Sequence, residues 1–109
     1  MPFDAGLAER IRGVLARKKN LVEKKMFGGV GFLLNGNMLV GVWKDSLIVR
    51  LDPADYEAAL RKPFTKEFDI TGRPMKGWVM VTPDGLADDS SLIEWTKIAT
   101  DFVAKLPKK

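Results

Sequence analysis

The sequence contains neither cysteine nor histidine. Without cysteine the chain can form no disulfide, no thiolate metal site and no thiol nucleophile. Without histidine it lacks the commonest general base, the commonest transition-metal ligand and the side chain that titrates near neutral pH. Any catalysis would depend on carboxylates, lysines, hydroxyls or the single tyrosine, Tyr56. No set of these residues forms a catalytic pattern, and we expect no enzyme, no metal and no cofactor.

The sequence also lacks an apolar run long enough to cross a bilayer, and its start, MPFDAGLAER, does not have the layout of a signal peptide. We therefore expect a cytoplasmic protein that does not contact membranes. The 109 residues fit one domain, residues 1–109, which can bury a core without disulfides. The net charge of +4 permits binding to nucleic acid but does not indicate it.

Three helices are predicted from apolar residues spaced three and four positions apart. They cover residues 4–18, the segment from Asp52-Pro53 to Pro63, and the segment from about Asp89 to Pro107. Asp4 and Asp52 are the expected N-caps of the first two helices. Ser91 and Glu94 have the spacing of a capping box at the start of the third.

Alternating apolar residues between these helices predict strands. A hairpin is expected from Phe32–Leu34 and Met38–Trp43, because the Asn35-Gly36 pair between them is a strong turn signal. A third strand follows at Ser46–Leu51, a further one at Lys76–Val81, and Glu67–Ile70 is a candidate for another. Short connections indicate an antiparallel sheet with helices on one face, which is a two-layer α+β fold.

The stretch KKMFGGVGF places Gly28, Gly29 and Gly31 directly after two lysines. Glycine-rich turns beside positive charge can bind phosphate. A phosphate loop also needs a helix after it, whereas strand residues follow this cluster. Glycines at such a place otherwise permit positive φ and close approach of a second backbone, and we favour that explanation. Gly41 would in the same way leave room for Trp43 or Trp78.

Two sets of side chains could bind nucleic acid. The first is a basic patch, which would form if its segments lie together and comprises Lys24, Lys25, Arg50, Arg73 and Lys76. The second is a set of aromatic side chains that could stack bases, Trp43, Trp78 and Trp95. The alternatives are a solvated charged face with lysines that protect a sheet edge, and tryptophans that belong to the core. We favour these alternatives, and Trp95 lies on the apolar stripe of the last helix.

The loop GRPMKGW combines a planar donor group with an adaptable apolar side chain, a pairing common at protein interfaces. We hypothesise that it forms a protein-contact or dimerisation surface together with the MFGG segment. The residues of this surface are Met26, Phe27, Gly28, Gly29, Arg73, Met75 and Lys76.

Five segments together resemble the TfoX N-terminal domain, also called the TfoX/Sxy family. They are KKMFGGVGF, NGNM, SLIVRLDPADY, FDITGRPMKGWVMV and LIEWTKIATDFVAKLPKK. Met26-Phe27-Gly28-Gly29 is the most recognisable element of the family, and GRPMKGW is similar to a branch of short, standalone members. The resemblance implies a curved antiparallel sheet in a two-layer fold like that of secretion chaperones.

The resemblance also implies a link to regulators of natural competence, which act on transcription with a partner activator. Those regulators carry a second domain, which we do not expect in this chain, so the competence role does not transfer directly. We expect a non-enzymatic regulatory or protein-interaction domain that binds a protein partner or a second copy. The alternatives are a weak nucleic-acid-binding module on the basic residues, or a small-ligand binder with a pocket between helices and sheet.

Overall fold

A computed structural model describes residues 4–26, 28–68 and 76–108, and of Met26 only the backbone. The helices are α1 (Ala5–Val14), α2 (Tyr56–Leu60) and α3 (Asp89–Val103). The strands are β1 (Leu21–Met26), β2 (Gly29–Leu34), β3 (Asn37–Trp43), β4 (Ser46–Arg50), β5 (Thr65–Glu67) and β6 (Trp78–Val81). All strand pairs are antiparallel, in the order β1-β2-β3-β4-β6-β5. The predicted α+β class is confirmed.

The first four strands form a meander, and the turn between its second and third strands is the Asn35-Gly36 hairpin turn predicted from local sequence. Asn35 and Gly36 have φ angles of 54° and 83°, both positive as a two-residue hairpin turn requires. Lys44 turns the chain between β3 and β4 with a φ of 55°. The meander has four strands rather than the three predicted, because β1 was not recognised. Three of its six residues are charged, which hides strand periodicity at an exposed sheet edge.

The observed helix boundaries confirm some of the capping predictions and contradict others. The Leu7 backbone N–H donates to Asp4 Oδ1 at 3.1 Å, and the Ala54 backbone N–H donates to Asp52 Oδ1 at 2.9 Å. The predicted N-cap of α1 is therefore confirmed, although α1 ends at Val14 rather than near residue 18. Asp52 does cap the start of the second helical segment, but that start is a 3-10 turn at Pro53–Asp55 that leads directly into α2, whose own N-cap position is Asp55. The capping box is wrong, because α3 begins at Asp89 and Ser91 lies inside its first turn.

The fifth strand begins before the predicted position. β5 covers Thr65–Glu67, whereas the candidate strand covered Glu67–Ile70. Phe68 follows β5 without strand structure, and residues 69–70 lie outside the described part of the chain. β6 starts at Trp78, two residues later than predicted.

The main core lies between the helices and one face of the sheet. Alternate residues of β4, Leu47 and Val49, enter it, as does Leu51 just after the strand, and all three are at most 1% exposed. Ile11 of α1 and Ala99 of α3 are fully buried against this face. Trp95 joins the same core and is 7% exposed, so its predicted burial is confirmed. Because the helices cover this face of the sheet, the opposite face remains for other contacts.

Candidate interaction surface

The glycine cluster forms the turn between β1 and β2 and the start of β2. Gly28 has a φ of 76° in that turn, a conformation that side chains disfavour. A β carbon on Gly29 would overlap the backbone carbonyl oxygen of Val42 in the neighbouring strand β3. The cluster is followed by a strand, not by a helix N-terminus. Positive φ and close backbone approach, the favoured explanation, therefore account for it.

Gly41 has a different neighbour from the one predicted. A β carbon there would lie 2.9 Å from the methyl carbon of Met38 and 2.9 Å from the carbonyl oxygen of Val30. Neither Trp43 nor Trp78 is among its three nearest contacts. Gly41 therefore accommodates Met38 and the backbone of β2, and the prediction of an aromatic neighbour is wrong.

The described residues of the hypothesised MFGG–GRPMKGW surface do not lie together. Gly28 and Gly29 lie at the end of the sheet where β2 begins, whereas Lys76 precedes β6 at the opposite end, as the strand directions require. One strand of this length spans about 17 Å. Phe27, Arg73 and Met75 lie outside the described residues, as does the side chain of Met26.

The structure also disperses the described basic residues. Lys24 and Lys25 are consecutive on the edge strand β1, so their side chains leave opposite faces of the sheet. Arg50 is on β4, with β2 and β3 between, a distance of about 14 Å at ordinary strand spacing. Lys76 lies near Arg50, because Leu51 N–H donates to the Gly77 carbonyl at 2.8 Å. Lys24 and Lys25 thus lie apart from Arg50 and Lys76.

Arg50 packs between two aromatic rings. Its guanidinium carbon lies 5.4 Å from the ring centroid of Trp78 and 5.9 Å from that of Phe102. Both distances are within the range of a cation–π contact. Arg50 thus joins β6 to α3, a structural role that the sequence did not indicate.

A second apolar cluster covers the sheet face opposite the helices. Ile48, Phe68 and Met80 are buried in it, and Trp43 and Trp78 pack against them while remaining partly exposed. The register supports this placement, since Ile48 pairs with Met80 and alternates with core residues along β4. The rings of Phe68 and Trp78 are 6.3 Å apart at an interplanar angle of 41°. The two strand tryptophans are thus packed, but outside the main core.

The apolar character of this face continues toward the β1 edge. Met38 pairs with Leu33, which pairs with Val22. Leu33 and Met38 are half-buried, and Val22 is 50% exposed. We call the surface formed by Val22, Leu33, Met38, Trp43 and Trp78 the outer sheet face. Sequence periodicity missed it, because apolar residues on both faces of a strand do not reveal which face the helices cover.

Tyr56 of α2 and Glu67 of β5 form a hydrogen-bonded pair of titratable groups. The Tyr56 hydroxyl donates to Glu67 Oε2 at 3.3 Å, and the residue is 8% exposed. Burial raises the pKa of Tyr56 above its ordinary 10.0, and the charge and hydrogen bond of Glu67 raise it further. A phenol with a raised pKa stays protonated at neutral pH, so Tyr56 is not available as a base there.

The structure also bears on a metal site, a small-ligand pocket and a membrane-spanning helix. Among residues 4–26, 28–68 and 76–108, no group of three carboxylates is arranged to hold a metal ion. The interface between helices and sheet is filled by large side chains at most 1% exposed, among them Ile11, Phe32 and Leu39. This packing opposes the small-ligand alternative, which needs a pocket there. No helix in the described chain is both long and apolar enough to cross a membrane.

A six-stranded antiparallel sheet with helices on one face and an apolar outer face defines a two-layer α+β domain. The family model of the TfoX N-terminal domain matches residues 14–103. The chain therefore belongs to the TfoX N-terminal domain family, as its sequence motifs indicated. Searches of curated proteins and of solved structures returned no match.

Proposed function

We propose that this chain is a non-enzymatic, cytoplasmic regulatory domain of the TfoX type, linked to transcriptional regulation, that binds a protein partner or a second copy. The observation that carries this proposal is the outer sheet face. An antiparallel sheet with one face packed usually presents polar residues on the other. Here that other face carries two tryptophans, a methionine, a leucine and a valine, and the register places Lys24 and Lys66 on the same face beside them.

The composition of the outer sheet face supports protein contact over other roles. Tryptophan and methionine are enriched at protein interfaces, and partly exposed tryptophans frequently supply much of the binding energy. Contiguous apolar patches on soluble domains commonly mark contact sites.

The nucleic-acid alternative has weaker support. Phosphate binding along one track needs several cations on one surface, and Lys24 and Lys25 lie apart from Arg50 and Lys76. An anisotropy titration of duplex DNA and single-stranded RNA at low and physiological salt separates the alternatives. Binding at physiological salt that the double substitution Lys24→Ala with Lys25→Ala weakens would favour nucleic acid instead.

The proposed function is tested by placing charge on the outer sheet face. The test variant is Val22→Lys with Met38→Lys, and the control is Ile93→Lys, an apolar residue of α3 that is 52% exposed. Partner capture by cross-linking and mass spectrometry is combined with sedimentation for self-association. We expect the face variant to lose a specific partner or the dimer while the control retains it. If the folded face variant keeps every partner and the same oligomeric state, the proposal is wrong.

A further inference from the structure

A surface groove lies on another side of the molecule, between the segment before β5 and the start of α3. Its volume is about 530 Å³. We call it the acidic groove and define it by Phe64, Asp84, Gly85, Asp88, Glu94 and Trp95, and Lys62 also lines it. None of these residues belongs to the outer sheet face, so the groove is independent of the proposed function.

Phe64 is held at the groove in an unusual conformation. Its φ is 65°, which is rare for a bulky side chain, yet the side chain is 52% exposed. The Phe64 carbonyl accepts from the Thr82 backbone N–H at 2.8 Å and from Thr82 Oγ1 at 3.2 Å. Gly85 allows this arrangement, since a β carbon there would lie 2.9 Å from Phe64 Cβ. The fold thus keeps an aromatic ring at the surface of the groove.

The charge of the groove is opposite to that of the chain. Asp84, Asp88 and Glu94 line it with three carboxylates, and Lys62 is the one cation among its lining residues. The chain as a whole carries a net charge of +4. A local negative region on a basic protein attracts cations to that place, while the remaining surface repels them.

The groove already holds one ammonium group from its own chain. Lys62 Nζ lies 4.9 Å from the centroid of the Trp95 ring and 4.0 Å from Glu94 Oε1. An aromatic face beside a carboxylate is the arrangement that binds organic cations. The Lys62 side chain is 46% exposed, and an ion pair this accessible is worth little, so an incoming cation can displace it.

We propose that the acidic groove binds a lysine- or arginine-containing segment of a protein partner. One cationic side chain occupies the position over Trp95 and against Glu94 that Lys62 now holds. Asp84 and Asp88 pair with neighbouring positive charges of the segment, and Phe64 packs against an aliphatic stem. The negative charge of the groove and the Lys62 ammonium group already bound in it favour a basic segment over an acidic or a purely apolar one.

The test uses a fluorescein-labelled hexalysine peptide, with hexaglutamate and a Gly-Ser peptide as comparisons. Anisotropy at low salt should show saturable binding of hexalysine alone. Asp84→Asn with Glu94→Gln should weaken it at least about fivefold. The matched control, Glu57→Gln with Asp101→Asn, removes two exposed carboxylates outside the groove and should change the affinity less than about twofold.

Lys62→Gln distinguishes binding in the acidic groove from unspecific attraction to other carboxylates. Unspecific attraction would change less when Lys62 is removed. Removing the internal competitor should tighten hexalysine binding about two- to fivefold and shift the Trp95 indole N–H resonance on titration. The outer-face variant Val22→Lys with Met38→Lys should bind the peptide about as wild type does. The peptide titration can therefore fail without contradicting the proposed function, and the proposed function can fail without contradicting peptide binding.

Three outcomes of the peptide titrations would overturn the proposal. They are absence of saturable hexalysine binding at low salt, equal weakening by the groove and control double variants, and weaker binding by Lys62→Gln. Sedimentation completes the test. Self-association that Asp84→Asn with Glu94→Gln abolishes, without peptide binding, would make a second copy the occupant and also overturn it.

Discussion

Gly29 lies so close to Val42 that a β carbon on Gly29 would overlap the Val42 carbonyl oxygen. Val42 cannot easily move away, because β3 pairs on one side with Val30 and on the other with Leu47. The second glycine of the MFGG motif is therefore required by backbone packing inside the sheet. Gly28 is required for a different reason, its φ of 76°, and has open space around it.

Gly29→Ala should therefore destabilise the domain more than Gly28→Ala. We expect a loss of about 2–3 kcal/mol for Gly29→Ala, since strand backbone must shift to admit the methyl group. Gly28→Ala should cost about 1–2 kcal/mol, the ordinary penalty of a left-handed conformation. Urea denaturation of both variants measures the difference. Equal stability of the two variants would mean that the Gly29–Val42 approach does not determine the cost.

Gly13→Ala should stabilise the domain, in contrast to Gly28→Ala and Gly29→Ala. Gly13 lies in α1, its φ is not positive, and a β carbon there would meet nothing within 4 Å. Alanine lowers the conformational entropy of the unfolded chain and is the better helix former, so we expect a gain of about 0.5–1 kcal/mol. The same urea titration measures it. A loss of stability would show that α1 packs differently at this position.

Features set by a few adjacent residues were predictable from the sequence. Asn35-Gly36 fixes its turn through backbone φ alone, and Asp52-Pro53 fixes a cap through one side chain and one ring. The start of α3 was not predictable in the same way. In the run Asp88 to Ser91 every residue can cap a helix, so spacing alone could not choose the first one.

Features that depend on strand order were beyond local patterns. The basic patch and the MFGG–GRPMKGW surface both needed distant segments to meet, and the meander places their described residues apart. Strand alternation assigns Trp43 and Trp78 to one face of their strands. The local sequence does not show, however, which sheet face the helices cover. The acidic groove joins Lys62 and Phe64 to residues about twenty positions later or more, so no spacing could reveal it.

Tyr56 should ionise above its ordinary pKa of 10.0, chiefly because it is buried and secondarily because of Glu67. As the only tyrosine, it can be followed by its ultraviolet absorbance during a pH titration. Folding favours the neutral phenol, so this contribution to stability is complete below pH 10.0 and is lost as pH rises through the raised pKa. Glu67→Gln should lower the Tyr56 pKa only partway. A full return to 10.0 in that variant would mean that Glu67, not burial, dominates.

Arg12 and Glu23 should stabilise the domain in a pH-dependent way. Arg12 Nε and Nη2 donate to the two carboxylate oxygens of Glu23 at 2.7 Å each, and this bonding lowers the Glu23 pKa below its ordinary 4.5. The contribution is complete above pH 4.5 and disappears as pH falls through the lowered pKa. Glu23→Gln should lower the melting temperature at pH 7 by about 1–4 °C, because the pair is partly exposed.

The measurement for this pair is a series of thermal melts from neutral to acidic pH, with Glu9→Gln as control. Glu9 lies 4.0 Å from Arg12 at a more exposed position, so its loss should change the melting temperature less. The gap between wild type and Glu23→Gln should close toward low pH. A gap that stays constant across the series would show that the effect does not arise from the Glu23 charge.

Asn37 ties the end of the chain to the sheet. It is 3% exposed, and its Nδ2 donates to the Pro107 carbonyl at 2.9 Å across 70 positions of sequence. Asn37→Ala should cost about 1–2 kcal/mol, because it removes a buried hydrogen bond and leaves the carbonyl of Pro107 without that donor. Amide exchange should also quicken at Leu106, whose N–H bonds to Val103 at 3.0 Å in the last turn. Unchanged exchange at Leu106, with the core amides equally unaffected, would show that the Asn37 bond does not hold the segment after α3 in place.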